Sequence, residues 1–212
     1  MKTVFVHPER CIGCKQCEAA CAVAHSQSKS LFWSVFETPL PKPRIHAEPG
    51  PTLNTSFPNK CRHCNPAPCL SVCPTAAIRR AEDHPDIVVI EAHKCIACGM
   101  CAIVCPFDVI TYYPTAAAPE KAAVAIKCDH CIERQRQNLI PACVEACKVG
   151  ALQFGEINEL VKAARTRYSE MVSVAFGEIG TEVKEEPANI TAWRGWGSAV
   201  TSLNSDGRKG GR

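Results

Sequence analysis

The sequence predicts an α+β fold of short β-hairpins and short helices, arranged as two small modules with one inserted in the other and a helix after them. Three observations lead there. Sixteen of the 212 residues are cysteine, about 7.5%, several-fold more than packing requires. These cysteines fall into four groups of four, and short apolar runs flank the groups. No apolar stretch approaches the ~18 residues that span a bilayer. Cysteine also inflates the 46% hydrophobic fraction. The hydrocarbon core is therefore small, and the fold needs a second source of stability, which metal binding supplies.

The groups are Cys11, Cys14, Cys17 and Cys21; Cys61, Cys64, Cys69 and Cys73; Cys95, Cys98, Cys101 and Cys105; and Cys128, Cys131, Cys143 and Cys147. The first and third have identical spacing, displaced by 84 residues, with two, two and three residues between successive cysteines. That is the bacterial ferredoxin run, in which three thiolates hold one cubane and the fourth reaches the other cluster of a pair. Each module thus reads as a bacterial-ferredoxin-like 2[4Fe–4S] unit, and the expected cofactors are four [4Fe–4S] clusters. Three cysteines at two-residue gaps suit a loop curled round one cluster face, with the fourth starting a short helix that points away. Pro74 and Pro106 follow Cys73 and Cys105, where such a helix must end. The second and fourth groups stretch the middle gap, to four residues before Cys69 and eleven before Cys143. The polar segment 132–139 in the longer gap reads as a surface loop. Zinc is the rival metal for paired Cys-x-x-Cys spacing, and a three-iron or altered cluster at one site is also compatible with spacing alone.

Along the chain, Val4-Phe5-Val6 reads as the first strand. Residues 22–57 form an excursion rich in proline, with Phe32, Trp33 and Phe36 expected in its core. Ile87–Ile90 and Val109–Tyr112 read as strands flanking the third group, and Ala76-Ala77-Ile78 and Gly150-Ala151-Leu152 as exits from the second and fourth. The expected organisation is an outer module from residues 1–57 and 114–155, an inserted module from 58–113, an amphipathic helix over 156–180, and a flexible tail over 181–212. Ile157, Leu160, Val161, Ala164 and Tyr168 recur at helical spacing in that helix. Trp193 and Trp196 in the tail are candidates for docking onto a partner.

Three stretches together carry a resemblance: Cys-Ile-Gly-Cys-Lys-Gln-Cys-Glu-Ala-Ala-Cys at 11–21, Cys-Arg-His-Cys-Asn-Pro-Ala-Pro-Cys at 61–69, and Ala-Leu-Gln-Phe-Gly-Glu at 151–156. The chain resembles the four-cluster iron–sulfur subunits of formate dehydrogenases, formate hydrogenlyase and molybdopterin reductases. With Cys-Ala-Val-Ala-His-Ser at 21–26, it looks most like the ferredoxin-like partner of anaerobic carbon monoxide dehydrogenase. The resemblance covers residues 1 to about 165. It implies carbon monoxide dehydrogenase as electron donor and a membrane-associated hydrogenase as acceptor. It also implies that cysteines are exchanged between groups. Cys11, Cys14 and Cys17 would share a cluster with Cys147, and Cys128, Cys131 and Cys143 one with Cys21. In the inserted module, Cys61, Cys64 and Cys69 would pair with Cys105, and Cys95, Cys98 and Cys101 with Cys73. Lys148 follows Cys147 where the family often has proline, and no membrane-anchoring helix is seen near the C-terminus.

Composition narrows the remaining function classes. The formal charge of +3 counts every cysteine as neutral; with sixteen thiolates and four oxidised cluster cores the sum falls to roughly −5. A basic charge balance is thus a poor argument for nucleic acid. The short runs Arg79-Arg80 and 208–212 read as solubilising, so no nucleic-acid partner is expected. Nothing like a signal peptide follows Met1, which places the expected site of action in the cytoplasm, peripheral to the inner membrane through a partner complex, with thiols reduced. No catalytic residue is expected, because each group offers a full set of four ligands. His63 and His130, inside Cys-x-x-Cys pairs, read as donors to sulfur or surface residues, with redox-coupled proton acceptance or cluster ligation as alternatives. His7, His25, His46, His84 and His93 show no metal spacing, and Glu82, Asp83 and Asp86 read as a solvated loop.

Overall fold

The computed structural model describes residues 2–52 and 55–175, and the tail assigned to 181–212, with Trp193 and Trp196, lies outside them. The chain divides into a unit of residues 1–161 and a unit of residues 162–212, of which 162–175 are described.

In the first unit, β1 (Lys2–Val6) leads through a one-turn 3-10 helix into the first cysteine loop and α1 (Gln16–Ala24). The excursion then carries α2 (Leu31–Ser34), β2 (Ile45–Pro49) and β3 (Ser56–Lys60). After α3 (Pro68–Ser71) come β4 (Ile78–Arg80) and β5 (Val88–Ile90), then α4 (Met100–Ile103), β6 (Thr111–Tyr113) and β7 (Val124–Ile126). The chain continues through α5 (Ile132–Arg136), α6 (Ala142–Glu145), β8 (Leu152–Glu156) and α7 (Ile157–Ala175). The strands form four two-stranded antiparallel ladders: β1–β8, β2–β3, β4–β5 and β6–β7.

The β1–β8 ladder sets Val4 opposite Phe154, and His7 N–H extends it by donating to Ala151 O at 2.7 Å. The start of the chain and the exit from the fourth cysteine group therefore share one small sheet. Beneath it Val4, Ile45, Ala47 and Leu152 are buried with Cys17, Cys21 and Cys143. A second core gathers Ile78, Val88, Ile110 and Val124 around Cys95 and Cys101. Both are small, and each includes cysteines among its buried residues, as the composition requires.

Residues 58–113 hold the β4–β5 ladder, while the strands at their two ends pair outward, β3 with β2 and β6 with β7. Ladder partners are chosen by long-range packing that such short strands cannot encode. Three expectations are corrected. The segment 132–139 is not simply a loop, because Ile132 is buried and starts α5. Phe32, Trp33 and Phe36 are not core: they are 65%, 61% and 69% exposed, and pack mainly on one another, Phe32 and Trp33 edge to face at 5.0 Å. One-turn α2 buries only Ser34, so its aromatic residues have no core to enter. Finally, the helix after each cysteine loop begins before the fourth cysteine, as described below.

In α7 the apolar positions recur at helical spacing as expected, and the Leu160 side chain lies where a Cβ added at Gly155 would meet it at 3.5 Å. The part in the second unit, residues 162–175, is helical, with Thr166 Oγ1 donating to Lys162 O at 3.2 Å. No described helix is long and apolar enough to cross a membrane.

Candidate metal centres

The four cysteine loops share one local construction. In the first Cys-x-x-Cys of each group the residue before the second cysteine has a left-handed backbone: Gly13 (φ 68°), His63 (52°), Ala97 (55°) and His130 (56°). That turn aims the backbone N–H back at the first sulfur. His63 N–H donates to Cys61 Sγ, Ala97 N–H to Cys95 Sγ and His130 N–H to Cys128 Sγ, each at 3.4 Å. The third cysteine of every group then occupies the second position of a helix: Cys17 in α1, Cys69 in α3, Cys101 in α4 and Cys143 in α6. The fourth falls just past the helix end at Cys73, Cys105 and Cys147, but inside α1 at Cys21. Pro74 and Pro106 stop the second and third helices, whereas Ala22 lets α1 run on.

Sulfurs from different groups converge. One cavity is lined by Cys61, Cys64, Cys69 and Cys105, with Lys127, Val109 and Phe107. Another is lined by Cys73, Cys95, Cys98 and Cys101, with Tyr112. Cys21 faces Cys128, Cys131 and Cys143 closely enough for their charges to act on it, and Cys11 and Cys14 act likewise on Cys17. Cys147 packs at the edge of the core that holds Cys17, Cys21 and Cys143. A cavity walled by four thiols, with backbone N–H groups aimed at sulfur, fits a cubane cluster: thiolates ligate the irons and the N–H donors offset their charge.

Electrostatics favour bound metal over free thiols. Burial pushes the Cys17 and Cys131 thiols up to about 11, and Cys21, Cys128 and Cys143 also lie above the ordinary range, chiefly through burial and secondarily through neighbouring cysteines or Asp129. Thiolates so placed are costly unless a cation compensates them. Further donors converge on individual sulfurs. Arg44 N–H donates to Cys21 Sγ at 3.2 Å, Ala125 N–H to Cys95 Sγ at 3.4 Å, and the Tyr112 hydroxyl lies 3.1 Å from Cys101 Sγ.

Several residues here were not singled out from the sequence. Asp129 accepts from Arg44 Nη1 at 2.5 Å and pairs with His25 Nε2 at 3.0 Å, which ties the excursion and the end of α1 to the fourth loop. Burial works to raise the Asp129 carboxyl, but the His25 hydrogen bond and the Arg44 charge hold it well below the carboxylate range. His25, Asp129 and Cys131 offer ligand atoms within 4.8 Å of one another, so His25 does lie among ligating groups despite its spacing. His63 and His130 are buried rather than at the surface, with ring centroids 4.1 Å apart. His63 Nδ1 accepts from Val88 N–H at 3.0 Å, and the Nε2 atoms of both histidines have no hydrogen-bond partner among the described residues. Lys60 and Lys127 are also buried. The signal for all four is a repeat, Lys-Cys-x-His-Cys at 60–64 and again at 127–131.

Comparison with known proteins places this geometry. A model described as a 4Fe–4S dicluster domain matches residues 53–157, and one described as a 4Fe–4S binding domain matches residues 8–24. An iron–sulfur protein of Rhodospirillum rubrum is 36% identical over 73% of this chain and 82% of its own length. The chain belongs to the 4Fe–4S dicluster family of iron–sulfur proteins. Other relatives carry electron-transfer names. The thiosulfate reductase electron transfer subunit PhsB of Salmonella typhi is 36% identical over 74% of this chain and 77% of its own length. The electron transport protein HydN of Escherichia coli K12 is 33% identical over 74% and 89%. Sixteen cysteines in this family fit four [4Fe–4S] clusters, and family members named in this way are carriers rather than catalysts.

Proposed function

We propose that the chain relays single electrons through four [4Fe–4S] clusters, from carbon monoxide dehydrogenase as donor to a membrane-associated hydrogenase as acceptor. The observation that carries the relay is the convergence of four thiols from two different groups on each of two cavities. The ligand sets follow the exchange stated above, with Cys105 crossing to Cys61, Cys64 and Cys69, and Cys73 to Cys95, Cys98 and Cys101. In the outer module, Cys147 joins Cys11, Cys14 and Cys17, and Cys21 joins Cys128, Cys131 and Cys143. Residues 58–113 are the inserted module of this scheme. The clusters supply one-electron chemistry whose potential is set by charge, sulfur hydrogen bonds and exposure. The chain itself contributes thiolates, N–H donors to sulfur and a water-poor interior. A complex with such partners would hold the protein at the inner membrane from the cytoplasmic side. The donor assignment rests on the resemblance at 21–26. A second reading is an electron-transfer subunit of a molybdopterin oxidoreductase or of a formate dehydrogenase or hydrogenlyase; the name of PhsB, an electron transfer subunit of a reductase, favours a subunit role of that kind.

The test is anaerobic iron and sulfide analysis together with reduced-state electron paramagnetic resonance, followed by mixing with candidate donors. Four clusters reduced by carbon monoxide only when carbon monoxide dehydrogenase is present support the full reading. Four clusters left oxidised in that mixture, but reduced by a molybdopterin enzyme, favour the second. A colourless zinc protein would end both.

A further inference from the structure

The repeated Lys-Cys-x-His-Cys places two lysines where lysine is rarely found. Lys60 is 1% exposed and Lys127 3%. Neither has a carboxylate partner within salt-bridge distance among the described residues. Their printed hydrogen bonds go to carbonyls: Lys60 Nζ donates to Cys61 O at 3.3 Å, and Lys127 Nζ to Cys128 O at 3.1 Å and to Val88 O. An ammonium buried without an opposite charge costs several kcal/mol, so a fold that carries two must supply anions elsewhere.

The anions available are the thiolates, and the arrangement is crossed. Lys127 precedes the fourth group yet lines the cavity of Cys61, Cys64, Cys69 and Cys105, and its charge acts on Cys69. Lys60 precedes the second group yet acts on Cys128 and Cys143 of the fourth, as well as on its own Cys61. The rings of His63 and His130, one from each of the same two loops, meet with centroids 4.1 Å apart and planes tilted by 49°. Lys94, which precedes Cys95 at the matching position of the third group, is by contrast 47% exposed and paired with Glu91, and Lys15 beside Cys14 is 59% exposed and paired with Glu18.

We propose that Lys60 and Lys127 are the reciprocal buried counter-cations of the two clusters bound by the second and fourth cysteine groups, and that they raise the reduction potentials of those clusters. The proposal rests on the relay reading. Each cluster gains one electron from the redox partner and no proton. The fixed ammonium stabilises the added negative charge in a medium that screens poorly, so reduction becomes easier. Water screens Lys15, whose charge has no comparable effect.

Lys60→Gln and Lys127→Gln keep a donor for the carbonyls and remove the charge. Iron and sulfide are counted first, then potentials are read by titration followed with electron paramagnetic resonance, with Lys15→Gln as control. The expected result is full cluster content and, for at least one cluster in each buried variant, a tenfold or greater fall in the reduced-to-oxidised ratio at fixed potential. For one electron this corresponds to about 59 mV. Lys15→Gln moves the ratio less than threefold. Full content with all potentials within threefold of the parent overturns the proposal and leaves the relay intact, whereas absent iron in the parent protein overturns the relay itself. If the glutamine variants fail to assemble, Lys60→Arg and Lys127→Arg decide. Assembly with parental potentials supports the charge, and failure of arginine as well makes the lysines packing elements and overturns it.

Discussion

Replacing Asp129 by asparagine separates charge from shape at the point where the excursion, α1 and the fourth loop meet. Asparagine keeps an Oδ1 acceptor for Cys131 N–H, now at 2.9 Å, and for His25, but it leaves Arg44 without its anion. Removing one partner of a buried pair costs about 3–5 kcal/mol. The side chains of Arg44 and Asp129 are 26% and 17% exposed, and the neutral hydrogen bonds persist, so about 2 kcal/mol is the working figure. With a urea dependence of about 2 kcal/mol per molar, the anaerobic midpoint for bleaching of the cluster absorption falls by about 1 M. The Asp129 carboxyl is held well below the ordinary aspartate range, so its contribution is complete above that range and is lost only as pH drops toward the depressed value. The deficit is therefore constant across neutral pH. Arg44→Met completes a double-mutant cycle, with an expected coupling of 1–2 kcal/mol, in the range usual for contacting residues. A midpoint change below about 0.25 M, or a coupling below about 0.5 kcal/mol, would refute the reasoning and make this ion pair an ornament.

Other outcomes follow from the same geometry. Gly13→Ala places a Cβ 2.6 Å from Ser56 Oγ at φ 68°; Ser56 rotates away, and the left-handed strain lowers stability by about 1 kcal/mol, measured as a shifted urea midpoint. Ala97→Gly at φ 55° shifts it the opposite way by a smaller amount. Cys105→Ser abolishes the cluster of the cavity lined by Cys61, Cys64 and Cys69 while the one lined by Cys95, Cys98 and Cys101 persists; loss of the latter alone would disprove the crossing of fourth cysteines. Tyr112→Phe removes the hydroxyl 3.1 Å from Cys101 Sγ and lowers one cluster potential without loss of iron. Chelation of the iron under anaerobic conditions melts the ladders of residues 1–161, seen as loss of far-ultraviolet dichroism, because the small cores cannot hold them alone.

The sequence speaks clearly wherever covalent chemistry fixes position. Cysteine spacing leads to loops, helices and cavities because a ligand displaced by one residue leaves its iron. The run Val4–Val6 and the periodic residues of 157–175 are legible for a second reason, since each has a pattern longer than its neighbours' noise. Pairing of β3 and β6 is not legible, because Ser56–Lys60 and Thr111–Tyr113 carry too few side chains to name a partner. Phe32, Trp33 and Phe36 mislead because apolar character does not compel burial when the helix is one turn long. Lys60 and Lys127 were hidden for the reverse reason. Lysine reads as surface, and only the repeat with His63 and His130 betrays a buried set.

The cysteines also differ in reach. Cys14 and Cys98 are exposed, whereas Cys61, Cys128, Cys131 and Cys143 are buried. A molecule of oxygen or an alkylating reagent arriving from solution meets the first and third loops long before the others. Damage in air therefore runs inward from those two loops, and a partly bleached sample keeps its second and fourth centres longest.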